Sequence, residues 1–124
     1  MIKSLLLVGI GGFLGSVARF ATSSYLTKMI PSMFPFGTLA VNIIGCFLIG
    51  IIYGASLRFQ WFSPAWSFFL ATGFCGGYTT FSAFAFENIR LLETSNYTIL
   101  AFNLLLSVGG GLLAVFLGLL ITKI

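Results

Sequence analysis

Three long stretches of this chain, residues 29–57, 59–86 and 94–122, contain no charged side chain. Each exceeds the ~20 residues that cross ~30 Å of hydrocarbon as a helix. A fourth apolar run, from Ser4 to Leu26, is interrupted only by Arg19. Charged residues make up 6% of the chain, against about 25% in water-soluble domains, so the bilayer is its natural solvent. Pro31 and Pro35 close the first connection, Pro64 opens the third span, and 87–97 reads as the third connection. The expectation is an all-α membrane protein, one four-helix transmembrane domain over 1–124, with spans near 4–26, 37–57, 65–86 and 97–122.

The charged residues themselves exclude most enzymes. There is no histidine and no aspartate, and the only acids are Glu87 and Glu93. Neither a Ser-His-Asp triad nor a side-chain metal-hydrolase centre can be assembled from that set. The chain is expected to be no enzyme, to sit as a multi-pass protein in the cell inner (plasma) membrane among lipid, and to have no nucleic-acid partner.

Four spans put both termini on one side, and orientation follows the Lys/Arg asymmetry of the loops. One side carries Lys3, Arg58 and Lys123; the other carries Lys28, Arg90 and, if it reaches its nearer interface, Arg19. A balance of three against three gives no preferred orientation. Copies inserted both ways up are expected, paired around a twofold axis in the membrane plane; the alternative is that so few charges leave the topology to other features.

Glycines organise the packing. Gly11 and Gly15, Gly50 and Gly54, and Gly73 and Gly77 share the GxxxG spacing that lets helix backbones approach in lipid. Cys46 and Cys75 fall in mid-span and read as small apolar residues.

Polar groups at membrane depth are the costly ones and carry the functional signal. Asn42, inside GTLAVNIIG, needs either an interhelical partner or a polar ligand. Arg19 either snorkels to the interface or lines an aqueous vestibule that concentrates anions. In the third span, the run from Gly73 to Phe84 (GFCGGYTTFSAF) has paired glycines followed by two threonines, a poor continuous helix. A break there frees carbonyls that must be satisfied by protein, water or a bound cation. The alternative is a tight glycine notch with threonine hydroxyls bonded to their own helix. Just beyond, Phe81 and Phe84 share a helix face with Ser82 beside them. Their ring edges, with hydroxyl and carboxamide donors, can solvate an anion weakly, as conduction requires.

Three blocks, GGFLGSVARF at 11–20, GTLAVNIIGCFLIG at 37–50 and GFCGGYTTFSAF at 73–84, make the chain resemble the Fluc (CrcB) family of small fluoride channels across essentially its whole length. The resemblance implies an antiparallel, dual-topology homodimer with a break in the third helix and two fluoride pathways at the subunit interface. It implies that Asn42 is the pore asparagine, and that Phe81 and Phe84 form an aromatic box. By the same resemblance, carbonyls of Gly76 and Thr79 from both copies hold a structural sodium ion on the twofold axis. Arg19 matches an arginine set toward the vestibule, and Ser82 and Thr80 are local donors. On the fourth span the match weakens. Asn103 and Ser107 fall on the face expected to line the pathway, with Gly111 beyond, and Ser107 fits best.

The implied activity is passive fluoride export that confers fluoride resistance. A small four-helix drug/proton antiporter shares the size but needs an intramembrane carboxylate, for which only Glu87 is available. A non-transporting accessory subunit would account for the glycines but not for Asn42, the break and the phenylalanine pair together.

Overall fold

The computed structural model describes residues 1–124, all of them in helices or short connections. Helix α1 covers Ile2–Met29, α2 Phe36–Arg58 and α5 Tyr97–Ile121. These three are long and apolar enough to cross a membrane unbroken. At 28, 23 and 25 residues and 1.5 Å per residue, each reaches or exceeds the ~30 Å of hydrocarbon.

The segment expected as the third span is helical in two pieces. The first, α3 (64–78), starts with Pro64 in its first turn, where the missing N–H costs nothing. It widens into a π-helix over Phe68–Cys75 and tightens again at Gly76–Tyr78. Thr79 and Thr80 are extended, at φ −88°, ψ 159° and φ −150°, ψ 120°. Helix α4, Phe81–Glu93, follows. The break expected in 73–84 is therefore present, at the threonines rather than at the glycines.

The expected third connection over 87–97 is corrected by the structure. The helix runs on through Glu87 and Arg90 to Glu93, leaving 94–96 as the turn. Burial of Leu91 against the rest of the fold keeps this end helical despite its charges. Thr94 ends it by donating its hydroxyl to Arg90 O at 2.8 Å. Ser95 then takes the left-handed conformation, φ 60°, which lets Asn96 N–H reach back to Leu91 O at 2.8 Å.

Two glycine seams hold the helices together. Between α1 and α3, a Cβ at Gly11 or Gly15 would collide with the backbone of Phe69 or Phe74, and one at Gly73 would meet Val8 O at 2.9 Å. Between α2 and α5, Gly50 abuts the backbone of Val115 and Gly118, and Gly118 abuts that of Phe47 and Ile51. Backbone lies on backbone, the close approach that dispersion and packing favour in lipid, where burial of apolar surface supplies no drive. The buried apolar set is correspondingly small in volume: Val41, Ala71, Cys75, Tyr78, Leu91 and Ala114. Large apolar side chains such as Phe13, Phe20, Leu105 and Leu112 point outward, as expected where the surroundings are acyl chains.

Candidate functional site

The extended step at Thr79–Thr80 leaves peptide groups that a helix would have paired, and α2 supplies the replacement. Asn42 Oδ1 accepts from Thr80 N–H at 2.8 Å while its Nδ2 donates to Thr80 O at 3.1 Å. A single carboxamide thus satisfies both polar groups of one residue, as buried backbone requires. The alternative left open by the sequence is resolved as far as a partner goes: Asn42 has one. It keeps a second Nδ2 proton, since a primary amide carries two donors and this pairing uses one.

Thr80 also caps α4. Its Oγ1 accepts from Ala83 N–H at 3.2 Å and lies 3.3 Å from Ser82 Oγ. Thr79 turns the other way, donating its hydroxyl to Cys75 O at 2.9 Å. The expected threonine back-bond and the break therefore coexist, one residue apart. The N-terminal end of α4, with its partial positive charge, faces the C-terminal end of α3, with its partial negative charge. Anion-friendly amides and cation-friendly carbonyls are brought within a few residues of each other.

A cleft of about 330 Å³ opens at this point. Asn42, Thr80, Phe81, Phe84 and Ser107 all line it, together with Thr79. Five of the eight residues expected along a pathway are thus gathered in one place. The rings of Phe81 and Phe84 lie 5.9 Å apart, inclined at 50°. Phe81 is 78% exposed in the single chain.

The other three lie elsewhere. Ser82 is exposed and touches the cleft only through Thr80. Arg19 donates Nε–H to Gly77 O at 3.0 Å, so it caps the carbonyl end of α3. It also lines a second cavity of about 260 Å³ with the hydroxyls of Ser16, Ser23, Ser24, Thr38 and Thr80. Thr80 is common to both hollows. Asn103 does not line the cleft. It is 1% exposed, donates Nδ2–H to Asn88 Oδ1 at 2.7 Å and accepts from Ser107 Oγ at 3.2 Å. Helical spacing with Ser107 put it on the right helix but could not show that α4 covers it.

Sequence reasoning missed Asn88 and Thr38. Thr38 lies four residues before Asn42, one turn down the same face of α2, and donates its hydroxyl to Glu87 Oε2 at 2.7 Å. That spacing was the available signal. Glu87 Oε1 is buried without a hydrogen-bond partner in the single chain.

No group of three His, Cys, Asp or Glu side chains exists to hold a metal, so a cation would depend on carbonyls. Gly76 O loses its helical donor because Thr80 N–H goes to Asn42, and Thr79 O receives no hydrogen bond. Gly76 is exposed, and a Cβ there would meet only Ala71 O at 3.9 Å. The family model described as CrcB-like protein, Camphor Resistance (CrcB), matches residues 6–119. The chain belongs to the CrcB family. Among its curated relatives is the fluoride-specific ion channel FluC of Azobacteroides pseudotrichonymphae genomovar. CFP2, 44% identical over 99% of this chain and 98% of the relative. The proteins of the same name from Flavobacterium psychrophilum and Campylobacter lari are each 45% identical, over 98% and 99% of this chain and 98% and 100% of their own length. CrcB relatives are thus named as ion channels, a non-enzymatic family, and the apolar helices make this chain a multi-pass protein of a bacterial cell membrane.

Proposed function

We propose that this chain conducts fluoride selectively and passively out of the cell, from a dual-topology homodimer with two pathways at the subunit interface. The observation that carries the reading is the cleft itself. Asn42 with a spare amide proton, the positive end of α4 and the paired rings of Phe81 and Phe84 converge on one hollow that contains no carboxylate. Ring edges and neutral donors bind an anion without trapping it, which is what rapid passage needs. With the interior 100 mV negative, each outward fluoride gains about 2.3 kcal/mol, so no coupling ion is required.

The homodimer rests on two observations. The Lys/Arg balance gives no preferred orientation, and Phe81 and Gly76, on either side of the break, are both uncovered in the single chain. A second copy, inverted, covers both and closes each cleft with its own residues.

The residues at the break fit the structural sodium expected at the twofold axis. Thr79 O has no donor, Gly76 O has lost its own, and no side chain stands in front of Gly76. Oxygen ligands of this kind suit a hard cation. The carbonyls of Gly76 and Thr79 from the two copies would hold it. A bound sodium would neutralise the two carbonyl ends that the dimer brings together.

Purified protein in liposomes, with potassium and valinomycin setting the voltage, tests the reading through a fluoride electrode. Fluoride efflux with little chloride efflux is expected. A folded dimer in sodium that passes no fluoride overturns it and favours the accessory-subunit reading.

A further inference from the structure

Ser107 is the one hydroxyl that α5 contributes to the cleft, and its proton is already engaged. A serine has a single O–H, and this one donates to Asn103 Oδ1 at 3.2 Å. Turning the Asn103 carboxamide to release it would break the bond that its Nδ2 donates to Asn88 Oδ1 at 2.7 Å and set two amide oxygens against each other. At 1% exposure Asn103 has no water to substitute for either partner. The order of donation therefore runs from Ser107 to Asn103 to Asn88, leaving the lone pairs of Ser107 Oγ toward the cleft.

Lone pairs repel an anion, so the resting hydroxyl is set against the ion the cleft is built to pass. We propose that Asn88 and Asn103 are positioning residues that withhold the Ser107 proton, making Ser107 a donor only to an anion that accepts hydrogen bonds strongly enough to draw it off Asn103 Oδ1. Fluoride, small and the strongest acceptor among the halides, does so. Chloride, larger and a weaker acceptor, meets the lone pairs instead. Switching leaves Asn103 Oδ1 bare in a dry setting, which is costly, and that cost is the threshold. The discrimination is thus set by two amides that do not touch the ion, and it rests on the channel reading above.

The test compares fluoride and chloride efflux from liposomes for the full-length protein and three variants. In Asn88→Leu/Asn103→Leu both amides go together, so no orphan is left behind. The freed Ser107 proton serves either anion, and the fluoride-to-chloride ratio is expected to fall about fivefold, chiefly by a gain in chloride, the worth of one withheld hydrogen bond. Adding Ser107→Ala should remove the chloride gain, which a merely loosened helix pair would retain. If the double variant does not fold, Asn88→Ala alone unties Asn103 and should lower the ratio by a smaller factor. An unchanged ratio in a folded double or Asn88→Ala variant, or a chloride gain that survives Ser107→Ala, overturns the proposal. Absence of fluoride efflux from the wild type would instead overturn the channel reading itself.

Discussion

The glycine seam between α1 and α3 and the break between α3 and α4 are neighbours in sequence but opposite in physics. In the seam, Gly73 and Gly77 lie against Val8, Gly11 and Gly12, where any side chain would strike backbone. One residue before Gly77, Gly76 faces open space. In the seam backbone lies on backbone, and Gly77 O is taken up by Arg19 Nε–H. The break has peptide groups that the helix has released, one residue of which is re-paired by Asn42 while Thr79 O stays bare. A rigid seam is what allows an unsatisfied backbone to be held open at membrane depth, since irregular backbone there needs a firm protein surround.

The seam should be the most sensitive to mutation. Gly15→Ala places a Cβ against the carbonyl of Phe74 and 3.0 Å from Tyr78 N, backbone atoms that cannot swing aside. A loss of about 3 kcal/mol or more is expected from overpacking. Gel filtration and thermal unfolding in detergent should show little folded protein. A Gly15→Ala variant as stable as wild type would mean that α1 and α3 are not locked by this contact, and the contrast with the break would lose its basis.

Asn42→Leu strikes the break instead. It strands Thr80 N–H and Thr80 O, each costing about 1–3 kcal/mol when left unpaired, and removes the spare amide proton from the cleft. The two seams do not involve Asn42, so the helices should still assemble. Fluoride efflux should fall at least about tenfold, the factor that 1.4 kcal/mol represents, while the gel-filtration profile persists. An assembly defect with normal flux per folded dimer would make Asn42 a packing residue only.

How much of this contrast could be read from residues alone depends on the signal each part leaves. The long apolar helices follow from charge-free stretches, and the seams from GxxxG spacing, because both are properties of long runs. The break was legible from GGYTT, yet its exact place was not. Glycines and threonines both weaken a helix, and only the partner at Asn42 decides which residues leave it. The π-helix over Phe68–Cys75 has no residue-level signal, since Ala71 and Thr72 suit an α-helix as well. Glu87, Arg90 and Glu93 suggested a connection because charge is costly in lipid. Burial of Leu91 and the Thr38 bond to Glu87 keep that segment helical. Asn103 shares a face with Ser107, as spacing implied, but the amide on α4 that covers it comes from a different part of the chain.

Gly76→Ala sharpens the same contrast at the residue beside the seam whose carbonyl loses its helical donor at the break. Its Cβ would meet only Ala71 O, at an ordinary 3.9 Å, so the single chain should fold as before. On the reading above, that Cβ enters the space where the second copy and a shared cation belong. Gel filtration should show a smaller dimer fraction, and raising sodium should restore part of it. A wild-type dimer fraction, indifferent to sodium, would place Gly76 outside the interface. Gly73→Ala, whose Cβ meets Val8 O at 2.9 Å and Gly11 Cα at 3.0 Å, should instead lose stability whatever the sodium concentration.

The smallest effect is expected where seam and break share a residue, at Arg19. Its Nε–H holds Gly77 O, a seam residue, while the guanidinium lines the hydroxyl-rich cavity that shares Thr80 with the cleft. Charge and hydrogen bond can be separated by substitution. Arg19→Lys keeps the positive charge and gives up the planar fork; Arg19→Gln gives up the charge. If the charge gathers anions from the aqueous side, Arg19→Gln should lower fluoride efflux a few-fold at low ionic strength, and the deficit should shrink as salt shortens the Debye length to ~3 Å near 1 M. Arg19→Lys should stay close to wild type. Were the bond to Gly77 O the whole of its role, both variants would lose flux equally and salt would not rescue either, since a part-buried hydrogen bond is little screened. That outcome would assign Arg19 to the seam and leave anion recruitment to the amide and hydroxyl donors at the break.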